Sequence, residues 1–414
     1  MKNLGIIVLI ASICISFGFY PIDGYERSQI SRLIPIANAV EQGEKYTRIP
    51  FGAFGSLDDI ELNLINQQQQ DLEDILTEDE EFSRQIKQIT PGGAYSLAVL
   101  DMSDPNDLKY AAHRENVGYQ PGSVGKIAVL NALFYEMAKI YPDDFEARIA
   151  LLCNKRVKSG IWGVGDHHTV PIYDAEKDQL TKRQVIASDE FTLFEWADHM
   201  VSVSNNGAAS VLYREAMLMS AFGMDYPRLT EEEAQTYFEE TPRDSLTLYA
   251  NRVVNEPLRE IGITEDDWRL GGVFTNGPDR YVGRMGGSIG TPKGLMKYLV
   301  QLEQGKVIDS ASSLEMKRLL YLTDRRIRYA KSPRLDSARV YFKSGSFYSC
   351  DRSKPTPCGE YAGNRFNYMN SVITVEHPDG KKYLVCLMTN VLSKNSAGAH
   401  MYLASKIDRV IVEN

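Results

Sequence analysis

The stretch Tyr119-Gln-Pro-Gly-Ser-Val-Gly-Lys-Ile-Ala-Val-Leu-Asn-Ala-Leu-Phe134 begins on turn residues and then changes character. After Pro121 and Gly122, the apolar residues Ile127, Val129, Leu130, Leu133 and Phe134 recur at helical spacing, which predicts a helix starting near Ser123. Residues three apart share one helix face, so Ser123 and Lys126 are expected side by side. The positive end of the helix dipole favours negative charge on the serine oxygen. A hydroxyl is a weak nucleophile until a base takes its proton, and a lysine held neutral by burial can be that base. Taken alone, the stretch reads more simply as a capping serine beside a solvated lysine. The surrounding chain decides between the two.

On its N-terminal side, residues 95–102 (YSLAVLDM) read as a strand, with residues 108–113 as a hairpin partner across the Asp104-Pro105-Asn106 turn. On its C-terminal side the helix ends near Tyr141-Pro142, and residues 144–190 alternate short helical and loop signals. Residues 191–213 are strongly amphipathic, capped by Thr192 and interrupted by Ser204-Asn205-Asn206-Gly207. Helical, charged sequence follows over 214–262. A glycine-rich loop covers 263–290, and Thr291-Pro292 opens a helix over 293–303. The last third changes period: 338–347, 370–376 and 383–389 read as strands, and about 397–412 as a closing helix. Strands at both ends around a helical middle predict an α/β (α+β) fold. One sheet is built from both termini (about 91–122 and 335–414), and a helical lobe is inserted between them (about 123–334).

Three short motifs fall in order along this plan. Ser123-x-x-Lys126 opens a helix, Ser204-Asn205-Asn206 lies between two helices, and Lys343-Ser344-Gly345 lies in an alternating strand. Each motif is weak alone: Lys158-Ser159-Gly160 and Ser393-Lys394-Asn395 are duplicates, the first placed before the Ser-x-Asn motif and outside an alternating strand, the second after the last motif. Order and setting together are specific, because three distant segments can then line one cleft.

In these motifs the chain resembles the penicillin-recognising serine enzymes, nearest to class A β-lactamases. The resemblance spans roughly residues 91–414. It extends to the strand before Ser123, the stretch Phe191-Thr-Leu-Phe-Glu-Trp-Ala before Ser204, and Gly290-Thr-Pro-Lys-Gly-Leu. It implies an antiparallel sheet against a helical lobe. It also implies Ser123 as an acylated nucleophile, Lys126 as its base, and Ser204 and Asn206 as proton relay and amide holder. Lys343 and Ser344 would bind a substrate carboxylate, and Gly345 would allow close approach of the substrate to the strand. The backbone N–H groups of Ser123 and Ser346 would form an oxyanion hole. No cofactor is implied, and the expected partner is a small β-lactam or a cell-wall peptide.

Two departures from the family pattern matter. Asn205 stands where an aspartate is usual. The segment before Thr291, where class A enzymes carry a water-activating glutamate, has none between 271 and 290; Asp279 is its only acid, with Asp266 and Asp267 upstream. The departures leave three readings open: a β-lactam hydrolase, a D-alanyl-D-alanine carboxypeptidase or transpeptidase, and an acylated sensor that keeps its adduct.

The remaining signals bound the setting. Net charge is −9, with no basic footprint for nucleic acid. Lys2 followed by an apolar run over 4–20 reads as an export signal or membrane anchor (1–22), placing the protein in the periplasm or outside the cell, free or tethered. Residues 21–55 read as a linker or loosely packed arm, and 57–89 as one or two solvated acidic helices packed by a single apolar face; 23–90 form an extension before the catalytic domain, 91–414. Export permits disulfides. Cys350 and Cys358 flank a short loop that a bridge could close, whereas Cys153 and Cys386 lie in apolar surroundings and read as buried thiols. His167 and His168, after Asp166, lack a third ligand at a recognisable spacing, so a surface loop is expected there and no metal site.

Overall fold

Alternation along the strands sends successive side chains to opposite faces, and both faces of the central sheet are apolar. The computed structural model describes residues 23–41, 51–53 and 55–413; the 1–22 leader lies outside them. Its main sheet has five antiparallel strands: β1 (Tyr95–Asp101), β2 (Lys109–His113), β3 (Arg339–Ser349), β4 (Phe366–Glu376) and β5 (Lys382–Asn390). Their spatial order is β2-β1-β5-β4-β3, so N-terminal β1 pairs with C-terminal β5 in the register Tyr95↔Thr389 to Asp101↔Tyr383. Ala98 and Leu100 of β1, with Cys386 and Met388 of β5, pack with the helical lobe. Leu97 and Val99, with Val385 and Leu387, pack on the other side. That far side is covered by the helices Glu80–Ile89 and Ser396–Val412, through Phe82, Ile86, Leu403, Ala404 and Ile407. The result is a three-layer arrangement with the sheet in the middle.

The lobe is built around the helix Lys126–Ile140, almost every side chain of which is buried. A helix apolar on all sides belongs at the centre of a helical layer. The helices Leu193–Val201 and Asn206–Phe222 pack against it, joined by a short link that carries Ser204. Thr192 and Glu195 form a reciprocal capping box at the start of the first, and Asn205 caps the second by accepting from Ala208 N at 2.7 Å.

Three expectations are corrected. The segment over 23–41 is no loose arm: Ile30, Leu33 and Ile36 enter the core. Arg32 is buried there with Asp198, its Nε 2.5 Å and Nη2 2.6 Å from the two carboxylate oxygens. A paired guanidinium fork this deep ties the arm to the lobe through charge as well as apolar packing. The helix Glu80–Ile89 packs by its apolar face as its stripe predicts, but that face lies on the sheet, so the helix is part of the domain and not of an extension before it. Residues 144–190 hold two small strand pairs, Val170–Asp174 with Gln179–Arg183 and Arg156–Lys158 with Glu190–Thr192. The duplicate Lys158 therefore does end a strand, but Ser159 and Gly160 turn at once into a helical turn. Cys350 and Cys358 are joined, and Cys153 and Cys386 are buried without bridges.

Candidate active site

Ser123 lies in a 3-10 turn, Gly122–Gly125, that runs directly into the helix Lys126–Ile140. With about three residues per turn, positions i and i+3 eclipse, which brings Lys126 Nζ to 3.1 Å from Ser123 Oγ. The lysine is fully buried. Its Nζ donates to the carbonyl oxygen of Ser204 and, at 2.8 Å, to Asn206 Oδ1. Both of those oxygens can only accept. A neutral amine has two N–H bonds, so its lone pair is left for the Ser123 hydroxyl.

Ser204 has φ of 61°, a left-handed conformation that a serine rarely adopts. Strain of this kind persists where the surroundings over-determine it. Here it turns the Ser204 carbonyl toward Lys126 while the hydroxyl, 3.3 Å from Lys126 Nζ, accepts from Lys343 Nζ at 2.8 Å. Lys343 comes from β3, the edge strand of the sheet, on the face toward the lobe. The motifs from three segments thus meet in one hydrogen-bonded run from Ser123 through Lys126 and Ser204 to Lys343.

Period two along β3 puts Ser344 and Ser346 on the other side from Lys343. Their hydroxyls each accept from the guanidinium of Arg328, both at 3.0 Å. Gly345 touches the Ser123 turn itself: a Cβ there would lie 2.3 Å from Pro121 O and 2.6 Å from Ser123 N. Glycine at this point is demanded by the Pro121–Ser123 turn, a constraint separate from any approach of a substrate. The backbone N of Ser346 in turn lies 3.0 Å from where a Cβ on Gly122 would sit.

Electrostatics follow from this packing. Burial pushes the Lys126 amine down to about 7, against an opposing pull from Asp166 and with help from the Arg328 charge. Lys343 is also driven well below the ordinary lysine value, by burial first and then by the charges of Lys126 and Arg328.

Four residues that the sequence reading did not place in the site belong to it. Arg328 presents its charge beside Ser344 and Ser346, and its guanidinium lies 5.0 Å from the ring of Tyr361, just past the loop closed by Cys350–Cys358. Phe274, from the glycine-rich loop, sets its ring 5.4 Å from Lys126 Nζ. Asp166 accepts from Asn206 N at 2.6 Å and from Asn206 Nδ2 at 3.0 Å, and His168 Nδ1 lies 2.8 Å from the same carboxylate. Burial opposes its ionisation, yet His168, the Asn206 N–H and Lys126 together hold its carboxyl at about 2. The exposed-loop expectation holds for the ring of His167 and fails for Asp166, whose side chain is 2% exposed. No local signal marks these four positions; only the chance adjacency of Asp166 to two histidines drew notice.

The loop before Thr291 places no carboxylate against Ser123. Asp266 is exposed, Asp267 is paired with Lys297 at 3.1 Å, and Asp279 lies near Arg243, which donates to its backbone carbonyl.

A family model described as the Beta-lactamase enzyme family matches residues 80–412. Among solved structures, the chain is similar to the TLA-3 extended-spectrum beta-lactamase, at 14% identity and a TM-score of 0.53, covering 80% of this chain and 97% of that one. It is similar to a beta-lactamase from Chitinophaga pinensis, at 14% identity and a TM-score of 0.52, covering 81% and 99%. A class A representative from Bacteroides cellulosilyticus has 18% identity and a TM-score of 0.51, covering 80% and 97%. At these identities the likeness speaks to the fold. A search of curated proteins finds no match. With the family model spanning the sheet, the lobe and all three motifs, the chain belongs to the beta-lactamase enzyme family.

Proposed function

We propose that the protein is a serine acyl-transfer enzyme, of the β-lactamase type, acylated at Ser123 by β-lactams or related amides that carry a carboxylate. The observation that carries this reading is the run Ser123–Lys126–Ser204–Lys343, in which the buried Lys126 Nζ lies within hydrogen-bond reach of Ser123 Oγ, at 3.1 Å. In the reaction, Ser123 Oγ attacks the amide carbonyl carbon while its proton passes to Lys126 Nζ. The C–N bond breaks as a proton returns through the Ser204 hydroxyl to the leaving nitrogen. The Ser123 and Ser346 N–H groups receive the developing oxyanion in this reading. The Arg328 guanidinium, held by the Ser344 and Ser346 hydroxyls on the edge strand, is suited to the substrate carboxylate.

A second reading is favoured by the loop over 271–290, which brings the Phe274 ring to Lys126 and no carboxylate to Ser123. Under it the acyl-enzyme is long-lived, as a transpeptidase or a penicillin sensor requires. Intact mass after exposure to penicillin G tests both. A penicilloyl adduct on the wild type, absent from Ser123→Ala of unchanged fold, is expected. A transient adduct favours hydrolysis, a persistent one favours the second reading, and release of D-alanine from a cell-wall pentapeptide points to the carboxypeptidase. Wild type that never labels, or Ser123→Ala that labels normally, overturns the proposal.

The same proposal places the protein outside the cytoplasm. Its support is the apolar run over 4–20 behind Lys2 and the Cys350–Cys358 bridge, which an oxidising compartment maintains. Fractionation of expressing cells tests it; protein recovered only in the cytoplasm would refute it.

A further inference from the structure

We propose that Asp166 is a positioning residue for the acylation base: it fixes the amide of Asn206 so that its oxygen, and not its NH₂, faces Lys126, and it sets a permanent carboxylate behind that contact. The inference rests on the reading of Lys126 as the base.

An asparagine amide presents an acceptor at one end and two donors at the other, and the two ends have nearly the same shape. Packing alone therefore does not choose between them. Asp166 does, because an ionised carboxylate only accepts. It takes Nδ2 at 3.0 Å on one oxygen and the backbone N of the same residue at 2.6 Å on the other. With Nδ2 committed, Oδ1 is turned to Lys126 Nζ at 2.8 Å. A flipped amide would set N–H against N–H at the lysine and push the amine away from Ser123. The grip is double, since Asn206 N is also the first N–H of the helix Asn206–Phe222, where negative charge is favoured. His168 Nδ1, at 2.8 Å, and His167 Nδ1, at 3.6 Å, also lie against Asp166 Oδ1.

The competing account is that Asp166 merely caps a helix. The two accounts differ in what they predict at Lys126. That amine is faced by Ser123 on its own turn, Ser204 and Asn206 from the helix link, Arg328 from its 3-10 turn, Lys343 from β3, the Phe274 ring, and Asp166 through Asn206. Within this set Asp166 is the anion, so its removal lowers the Lys126 midpoint, whereas loss of a cap changes only stability.

The test compares the full-length wild type with Asp166→Asn and Asp166→Glu, each checked for folding by its melting curve. Acylation by a fluorescent penicillin is followed across pH, and the Lys126 side chain is titrated by NMR without ligand. Asp166→Asn is expected to lower the Lys126 midpoint by about one pH unit. It is also expected to cut the high-pH acylation plateau roughly tenfold to a hundredfold, because the base is no longer aligned. The gap between the two proteins then narrows as pH falls. Asp166→Glu keeps the charge but displaces it, so the midpoint stays near that of the wild type while the plateau drops. An unchanged midpoint in Asp166→Asn overturns the proposal; where that variant does not fold, an unchanged plateau in Asp166→Glu does so. If the wild type is never acylated, the proposed function fails, and the NMR titration still decides the role of Asp166.

Discussion

Two lysines are equally buried in this molecule and are opposite in character. Lys126 is 0% exposed and Lys317 is 1% exposed. Lys317 sits where the helix Ser310–Tyr321 meets the sheet, its Nζ 2.8 Å from a Glu303 oxygen and 2.7 Å from a Glu376 oxygen. Burial alone would push both amines down. Around Lys317 the two carboxylates more than reverse that push and raise its pKa. Around Lys126 the direct partners are a carbonyl, an amide oxygen and hydroxyls, and the amine falls to about 7. Dryness makes a lysine sensitive; the formal charge of its neighbours decides whether it becomes a structural cation or a base.

The contrast can be broken by crossed substitutions. Lys126→Met is expected to slow acylation by penicillin roughly 10²–10⁴-fold, the range of a general base. Its melting temperature should change little, because the desolvation of the buried amine offsets the hydrogen bonds that are lost with it. Lys317→Met should do the reverse. Stranding Glu303 and Glu376 should cost about 3–5 kcal/mol in urea unfolding, while the folded fraction labels at the wild-type rate. A Lys126 variant that labels normally, or a Lys317 variant of unchanged stability, would erase the distinction.

Arg328 offers a smaller effect at the other end of the site. Its charge helps to lower the Lys126 amine and also faces the hydroxyls of Ser344 and Ser346, so the second role is read well above pH 7, where Lys126 is neutral. Arg328→Ala should raise the penicillin concentration for half-maximal acylation by roughly ten- to a hundredfold, the worth of a charge-assisted pair. A substrate lacking the carboxylate should show little change. If both substrates suffer alike, Arg328 supports the strand and does not read the carboxylate.

The pH dependence sharpens the comparison further. Burial holds the Lys126 pKa down at about 7, so the neutral amine is the form present above that value and the ammonium the form below it. Acylation should therefore rise with pH through about 7 and lose about tenfold per unit on the acid side. A limb near the ordinary lysine value would mean that Lys126 is solvated during the reaction.

Much of this architecture was legible in local pattern. The period-two runs over 95–102 and 383–389 became β1 and β5, and their two faces entered the two cores as alternation requires. Ser123 and Lys126 met because three-residue spacing is a property of helical backbone. The arm over 23–41 was misjudged because it lacks a strong period of its own: Ile30, Leu33 and Ile36 join a core built by distant segments, and Arg32 meets Asp198 and the Leu322 carbonyl, both far along the chain.

The sequence by itself determined the sheet built from both ends, the helix that carries Ser123, and the order of the three motifs, because each follows from spacing along one short segment. Only the tertiary structure decided that Asp166 and Arg328 belong to the site and that Phe274 faces Lys126. Single polar or aromatic residues on loops leave no periodic trace, and where they arrive depends on how the lobe packs on the sheet. The same holds for the chemistry of Lys126: its spacing from Ser123 is local, but its pKa comes from burial and from charges brought to it by other segments.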